Sequence, residues 1–255
     1  MRKQKILSMG FAFSCLGLSL AKAQYYPPPP PPAYAPPPPA YAPPPPAGYW
    51  WFPEGAGPYF RGGVGPTFYQ DGKLRQFSII PGFNGAQNEP VHYDVGVAAD
   101  GAFGYAFNKY VGLDFESGYI WGRINNIPGY ISNGSTIANV PLLVNGTLSL
   151  PIPHTNIVPY IGGGAGGAVS IFDAHSFSDD AQTVTAYGEE SDAVFAYQAF
   201  AGVRFMLGPN VSLGVGYKYF ATGNPTFSYP PGPNLNIAFD GVRTHSVMFT
   251  LQVLF

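Results

Sequence analysis

The sequence has a single cysteine, Cys15, and charged side chains make up only 10% of it. One cysteine excludes an intrachain disulfide framework and a cysteine-built metal centre. Beyond the first two dozen residues there is no run of 18 apolar residues, so no helix of the usual length is expected to cross a membrane. Basic residues are scarce too. Removing Arg2, Lys3, Lys5 and Lys22 from the twelve leaves eight against fourteen acidic, a net charge of −6. That balance excludes nucleic acid as a partner.

Glycine (33), proline (29) and aromatics (16%) are abundant instead. This mixture is poor in helix formers and rich in residues of strands, turns and coil. Arg2, Lys3 and Lys5 precede the apolar stretch from Ile6 to Leu20, and Ala21-Lys22-Ala23 follows. This order is that of a secretory signal peptide over 1–23, with the mature chain starting at Gln24. Residues 24–56 are proline-rich, and Ala-Tyr-Ala-Pro-Pro-Pro-Pro occurs at 33–39 and again at 40–46. Proline fixes φ and removes donors, so this part is expected as an extended or disordered periplasmic segment.

From 57 onward apolar residues alternate with polar or small ones. Val247, Phe249, Leu251, Val253 and Phe255 share one face of the last segment. Val211, Leu213, Val215, Tyr217 and Tyr219 oppose Ser212, Gly214, Gly216 and Lys218. Tyr197 to Phe205 and Asn139 to Leu150 repeat the pattern, as do Val111 to Trp121, 91–107 and 59–69. A period of two is the strand period. About eight strands are expected, joined by short turns near 108–109, 151–154 and 208–210. Long breaks fall near 70–90, 124–137, 173–193 and 222–241. Such sorting of short and long connections is a feature of outer-membrane barrels.

The faces decide between water and lipid. Arg61, Asp94, Asp100, Asp114, Glu116, Arg204 and Lys218 all fall on the glycine-bearing face, while the opposite face is almost uncharged. A charge facing lipid near the midplane costs about 2–4 kcal/mol, so the smooth face is expected in lipid and the ions in the lumen. The fold expected is an all-β, eight-stranded antiparallel up-and-down transmembrane barrel over 57–255. Trp50, Trp51 and Phe52 are expected in an aromatic girdle.

The run Ile157-Val158-Pro159-Tyr160-Ile161-Gly162-Gly163-Gly164 carries a resemblance, with 197–204, 210–217 and the ending 245–255. Together they resemble the OmpA-like small outer-membrane barrel family, which includes opacity-type surface proteins. The resemblance implies eight strands, a monomer and both termini in the periplasm. It also implies that Phe249, Leu251, Val253 and Phe255 form the signal read by the barrel-assembly machinery. The family's larger members continue into a peptidoglycan-binding domain, whereas this chain is expected to end at the barrel.

The seven lumenal ions are expected to pair, since buried charges need partners. The narrow interior then favours a salt-bridge plug, with a narrow channel for small or hydrophobic solutes as the alternative. Asp173, Asp179, Asp180, Glu189, Glu190 and Asp192 are expected in a solvated acidic external loop, their spacing matching no EF-hand loop. No catalytic set, metal site or cofactor is expected. His245 and Ser246 are adjacent and would face opposite ways, and His92, His154 and His175 fall at turn or loop positions. The expected role is structural or surface-interacting, in the bacterial outer membrane, among lipid and lipopolysaccharide.

Overall fold

The computed structural model describes residues 57–78, 89–128, 130–132, 134–179, 185–229 and 235–255. All belong to the second of two compact units, Pro45–Phe255. The expected signal peptide, proline-rich segment and Trp50-Trp51-Phe52 girdle lie outside the described residues.

Thirteen strands occur among them: β1 (Gly57–Tyr69), β2 (Gly72–Ser78), β3 (Glu89–Tyr93), β4 (Gly96–Ala106), β5 (Val111–Asn126), β6 (Tyr130–Ser132), β7 (Thr136–Ser149), β8 (Ile157–Asp179), β9 (Thr185–Met206), β10 (Val211–Thr222), β11 (Thr226–Tyr229), β12 (Leu235–Phe239) and β13 (Arg243–Leu254). Eight of them form a closed antiparallel ring in the order β1, β4, β5, β7, β8, β9, β10, β13 and back to β1. Closure leaves no edge strand, which is the condition for a sheet to cross a bilayer.

Alternation sets the faces as the sequence implies. Phe115, Val144, Leu213 and Phe249 are each about half exposed on the outer wall. Asp114, Glu116 and Asn145 are buried inside. The glycine-rich β8, whose faces the sequence leaves ambiguous, turns Gly162, Gly164 and Ser170 inward and Ile161 outward.

The ring has two unlike ends. At the near end lie the start of β1, the end of β13 and three short turns. In the first, Asn108 Oδ1 accepts the N–H groups of Tyr110 (2.7 Å) and Val111 (2.9 Å). This local side-chain bond makes asparagine a turn former. In the second, His154 has a φ of 62°, left-handed backbone at the tightest point of the β7–β8 connection.

At the far end the long connections are largely folded, which corrects their reading as loops. β11, β12, β2 and β3 form an antiparallel ribbon that continues onto β5. Leu74, Phe77, Val91, Ile124, Ile127, Phe172, Phe227, Ile237 and Phe239 make a core there. Phe172 lies 5.6 Å from Phe227 and 5.1 Å from Phe239, centroid to centroid, in tilted and edge-on geometries that aromatic rings favour. Tyr93 stacks on Tyr69 beside it. Burial, reinforced by Asp240 and Asp71, pushes the Tyr93 phenol above its ordinary range.

The acidic segment is corrected likewise. β8 and β9 stay paired to Ser178↔Thr185, and this ladder places Asp173 opposite Glu189, Phe172 opposite Glu190 and Ser170 opposite Asp192. Asp179 ends β8, and Asp180 lies outside the described residues. The β8–β9 ladder continues past the barrel wall with a register shift between Ala174 and Phe177, and Asp173, Glu189, Glu190 and Asp192 lie on it.

Candidate functional site

Six strands each turn polar side chains into the middle of the ring. Arg61 comes from β1, Asp100 from β4, and Asp114 and Glu116 from β5, two residues apart and so on one face. Asn145 comes from β7, Gln198 from β9 and Lys218 from β10. Glu116 is the hub. Its Oε2 accepts from Arg61 Nη2 (2.9 Å) and Asn145 Nδ2 (3.2 Å). Its Oε1 accepts from Lys218 Nζ (2.7 Å) and Gln198 Nε2 (3.0 Å). Four donors fill the roughly four lone-pair positions of a carboxylate.

Asp114 is held as closely. Tyr59 donates to its Oδ2 at 2.6 Å, and Asn145 Nδ2 (2.7 Å) and Arg61 Nη2 (3.4 Å) reach Oδ1. Lys218 also pairs with Asp100, and Gln198 Nε2 donates to Asn145 Oδ1 at 2.8 Å. Every one of these carboxylates therefore faces a cation, as burial requires.

The network crosses the lumen. β5 and β10 stand four places apart in an eight-strand ring, on opposite walls, and Glu116 and Lys218 join them directly. An apolar layer backs it toward the far end: Ala98, Ile120, Leu143, Ala196, Phe220 and Met248 are all buried. Each of Ala98, Leu143, Ala196 and Phe220 lies two residues beyond a network residue on its own strand. Polar pairs follow, Ser170 Oγ donating to Asn139 Oδ1 and Ser246 Oγ to Thr67 Oγ1, both at 2.7 Å.

Five of the seven sequence-predicted ions meet here: Arg61, Asp100, Asp114, Glu116 and Lys218. Two stand apart. Asp94 lies in the break between β3 and β4, beyond the wall, where it accepts from Asn125 Nδ2 at 2.7 Å. It shares the parity of the inward row but lies before the start of β4 and bonds an exposed asparagine. Arg204 faces inward but contacts no carboxylate. It donates to Gln252 Oε1 (2.6 Å) and to Ser149 Oγ, and it lies 4.9 Å over the Tyr160 ring.

Tyr59, Asn145 and Gln198 complete the network and were missing from the predicted ion set. Asn145 and Gln198 sit on rows already read as inward. Tyr59 shares the parity of Arg61, the signal that finds it.

The other expected sites are placed as follows. Phe249 and Leu251 face outward on β13, and Phe255 follows the strand, its N–H donating to Pro58 O at 2.9 Å. Val253 is half-buried. His245 and Ser246 do face opposite ways: His245 Nδ1 is 2.6 Å from Tyr217 Oη on the outer wall, while Ser246 is buried inside. Among the described residues no group of histidines, cysteines and acids is placed to hold a metal.

Comparison with known proteins agrees with this architecture. Residues 43–255 match the family model described as an outer membrane protein beta-barrel domain. The outer membrane protein OprG from Pseudomonas aeruginosa superposes with a TM-score of 0.57 at 13% identity, over 79% of this chain and 98% of that one. The outer membrane protein AlkL, solved in lipid bilayers, superposes with a TM-score of 0.50 at 17% identity, over 85% and 96%. No curated protein sequence matches the chain. At these identities the two structures speak for the fold, and the family match speaks for membership. The chain belongs to the outer membrane protein β-barrel domain family, as a small eight-stranded, OmpA-like barrel of the bacterial outer membrane.

Proposed function

We propose that this protein is a closed, structural barrel that displays a folded platform at the cell surface and conducts no solutes. The single observation that carries the reading is the Glu116–Lys218 ion pair between opposite walls, 2.7 Å long. An eight-stranded barrel is only wide enough for its own side chains, and here charged, amide and apolar layers succeed one another along the axis. On this reading the near end, with its short turns, the start of β1 and the end of β13, faces the periplasm, and the ribbon of β2, β3, β11 and β12 faces outward. The outer wall then meets lipid and lipopolysaccharide as a monomer, with no enzymatic role. The row Phe249, Leu251, Val253 and Phe255 serves the barrel-assembly machinery during insertion.

Planar-bilayer recording with the purified chain tests this. The expected trace shows no discrete conductance steps. Reproducible ohmic steps would instead support a narrow channel for small or hydrophobic solutes.

A further inference from the structure

The near end of the lumen opens into a vestibule below the ion network, and its charge is one-sided. Arg204 and Lys109 line it without an acidic partner, Arg61 at its floor is already paired with Asp114 and Glu116, and no carboxylate side chain among the described residues lines it. Asp114, the acid nearest in sequence to this wall, has both oxygens engaged by Tyr59, Arg61 and Asn145.

The donors there are also underused. Arg61 Nε, Arg204 Nε and Thr147 Oγ1 are buried atoms without a hydrogen-bond partner. All three belong to side chains of the vestibule, and Arg61 and Thr147 are more than nine-tenths buried. Leaving such groups unpaired is unfavourable, more so when they are charged. Arg204 is held only by the neutral Gln252 and Ser149 and by the Tyr160 ring. A charged acceptor makes a bond about twice as strong as a neutral one, and a guanidinium takes an oxyanion through two parallel N–H groups.

We infer that this vestibule is a binding site for a small oxyanion of the phosphate or carboxylate type. The anion displaces Gln252 or Ser149 from Arg204 and takes Nε–H and Nη–H together. Thr147 supplies a hydroxyl, and Lys109 raises the local potential at the mouth. The site lies on one side of the ion network, so it does not depend on whether the lumen conducts.

Amide resonances of the full chain in detergent micelles, titrated with inorganic phosphate against chloride at equal ionic strength, test it. Saturable shifts at Ser149, Tyr160 and Arg204 are expected with phosphate and not with chloride. Acetate in parallel sorts carboxylate from phosphate preference, and saturation by either supports the site. Arg204→Gln keeps a neutral partner for Gln252 and Ser149, and it is expected to weaken binding by about tenfold or more. Thr147→Val, which leaves every charge in place, is expected to weaken it less. Shifts reproduced by chloride, or unchanged affinity in Arg204→Gln chains that keep the heat-modifiable gel mobility of a closed barrel, would overturn the assignment.

Discussion

Replacing Glu116 with alanine is expected to destabilise the barrel by about 3–5 kcal/mol, the usual loss when one partner of a buried ion pair is removed. The change takes an acceptor from four donors at once: Arg61, Lys218, Asn145 and Gln198. Lys218 keeps Asp100 and Arg61 keeps Asp114, so the structure is expected to weaken without losing its topology. Glu116→Gln is expected to cost less, because a carbonyl oxygen still serves two of the donors. Urea unfolding followed by heat-modifiable gel mobility measures both. Loss below about 1 kcal/mol in the alanine variant would mean that the network is hydrated and contributes little.

The second large effect is steric. β7 and β8 pair Asn145 with Gly164. A Cβ on Gly164 would lie 2.0 Å from Asn145 Oδ1 and 2.4 Å from the Val144 carbonyl oxygen. The amide can swing away, but only by abandoning Asp114, Glu116 and Gln198. The carbonyl belongs to the wall and cannot yield. Gly164→Val is therefore expected to cost about 3 kcal/mol or more, at the upper end for overpacking. Gly146, on the outer face of β7, has nothing within 4 Å of such a Cβ. Gly146→Val is expected to leave stability nearly unchanged. The pair of variants, compared by the same gel assay, separates lumen crowding from a general intolerance of β-branched residues.

The barrel was legible in the sequence because alternation reports the face of each residue, and a closed sheet has only two faces. The rows around Asp114, Lys218 and Phe249 are inward and outward as their parity implies. The sorting of short and long connections also held. What parity does not report is height along the axis or which walls approach each other. Asp94 and Asp100 have the same parity, but Asp94 sits past the strand break. Arg204 shares the inward face with Lys218 yet lies too near the end for a carboxylate. Tyr59 was hidden because tyrosine counts as apolar on the lipid side and as a hydrogen-bond donor on the lumen side.

The far-end ribbon was missed for a different reason. β11 and β12 are four and five residues long, and the stretch Pro230-Pro231-Gly232-Pro233-Asn234 between them reads as coil in the sequence. Leu235, Ile237 and Phe239 do alternate, which is the strand signal there. Ile237 and Phe239 are buried in one cluster with Phe172 and Ile124, from strands distant in sequence. Tertiary contacts of that kind leave little local trace.

The account rests on greasy rows facing acyl chains and ionic rows being enclosed. Nitroxide labels at Leu213, Phe249 and Phe115, on the reconstituted chain, test this by power saturation with oxygen and a nickel chelate. All three are expected to be reached by oxygen and shielded from the chelate, as lipid-facing sites are. Chelate access at these three positions would place the apolar wall in water and contradict the assignment of inside and outside.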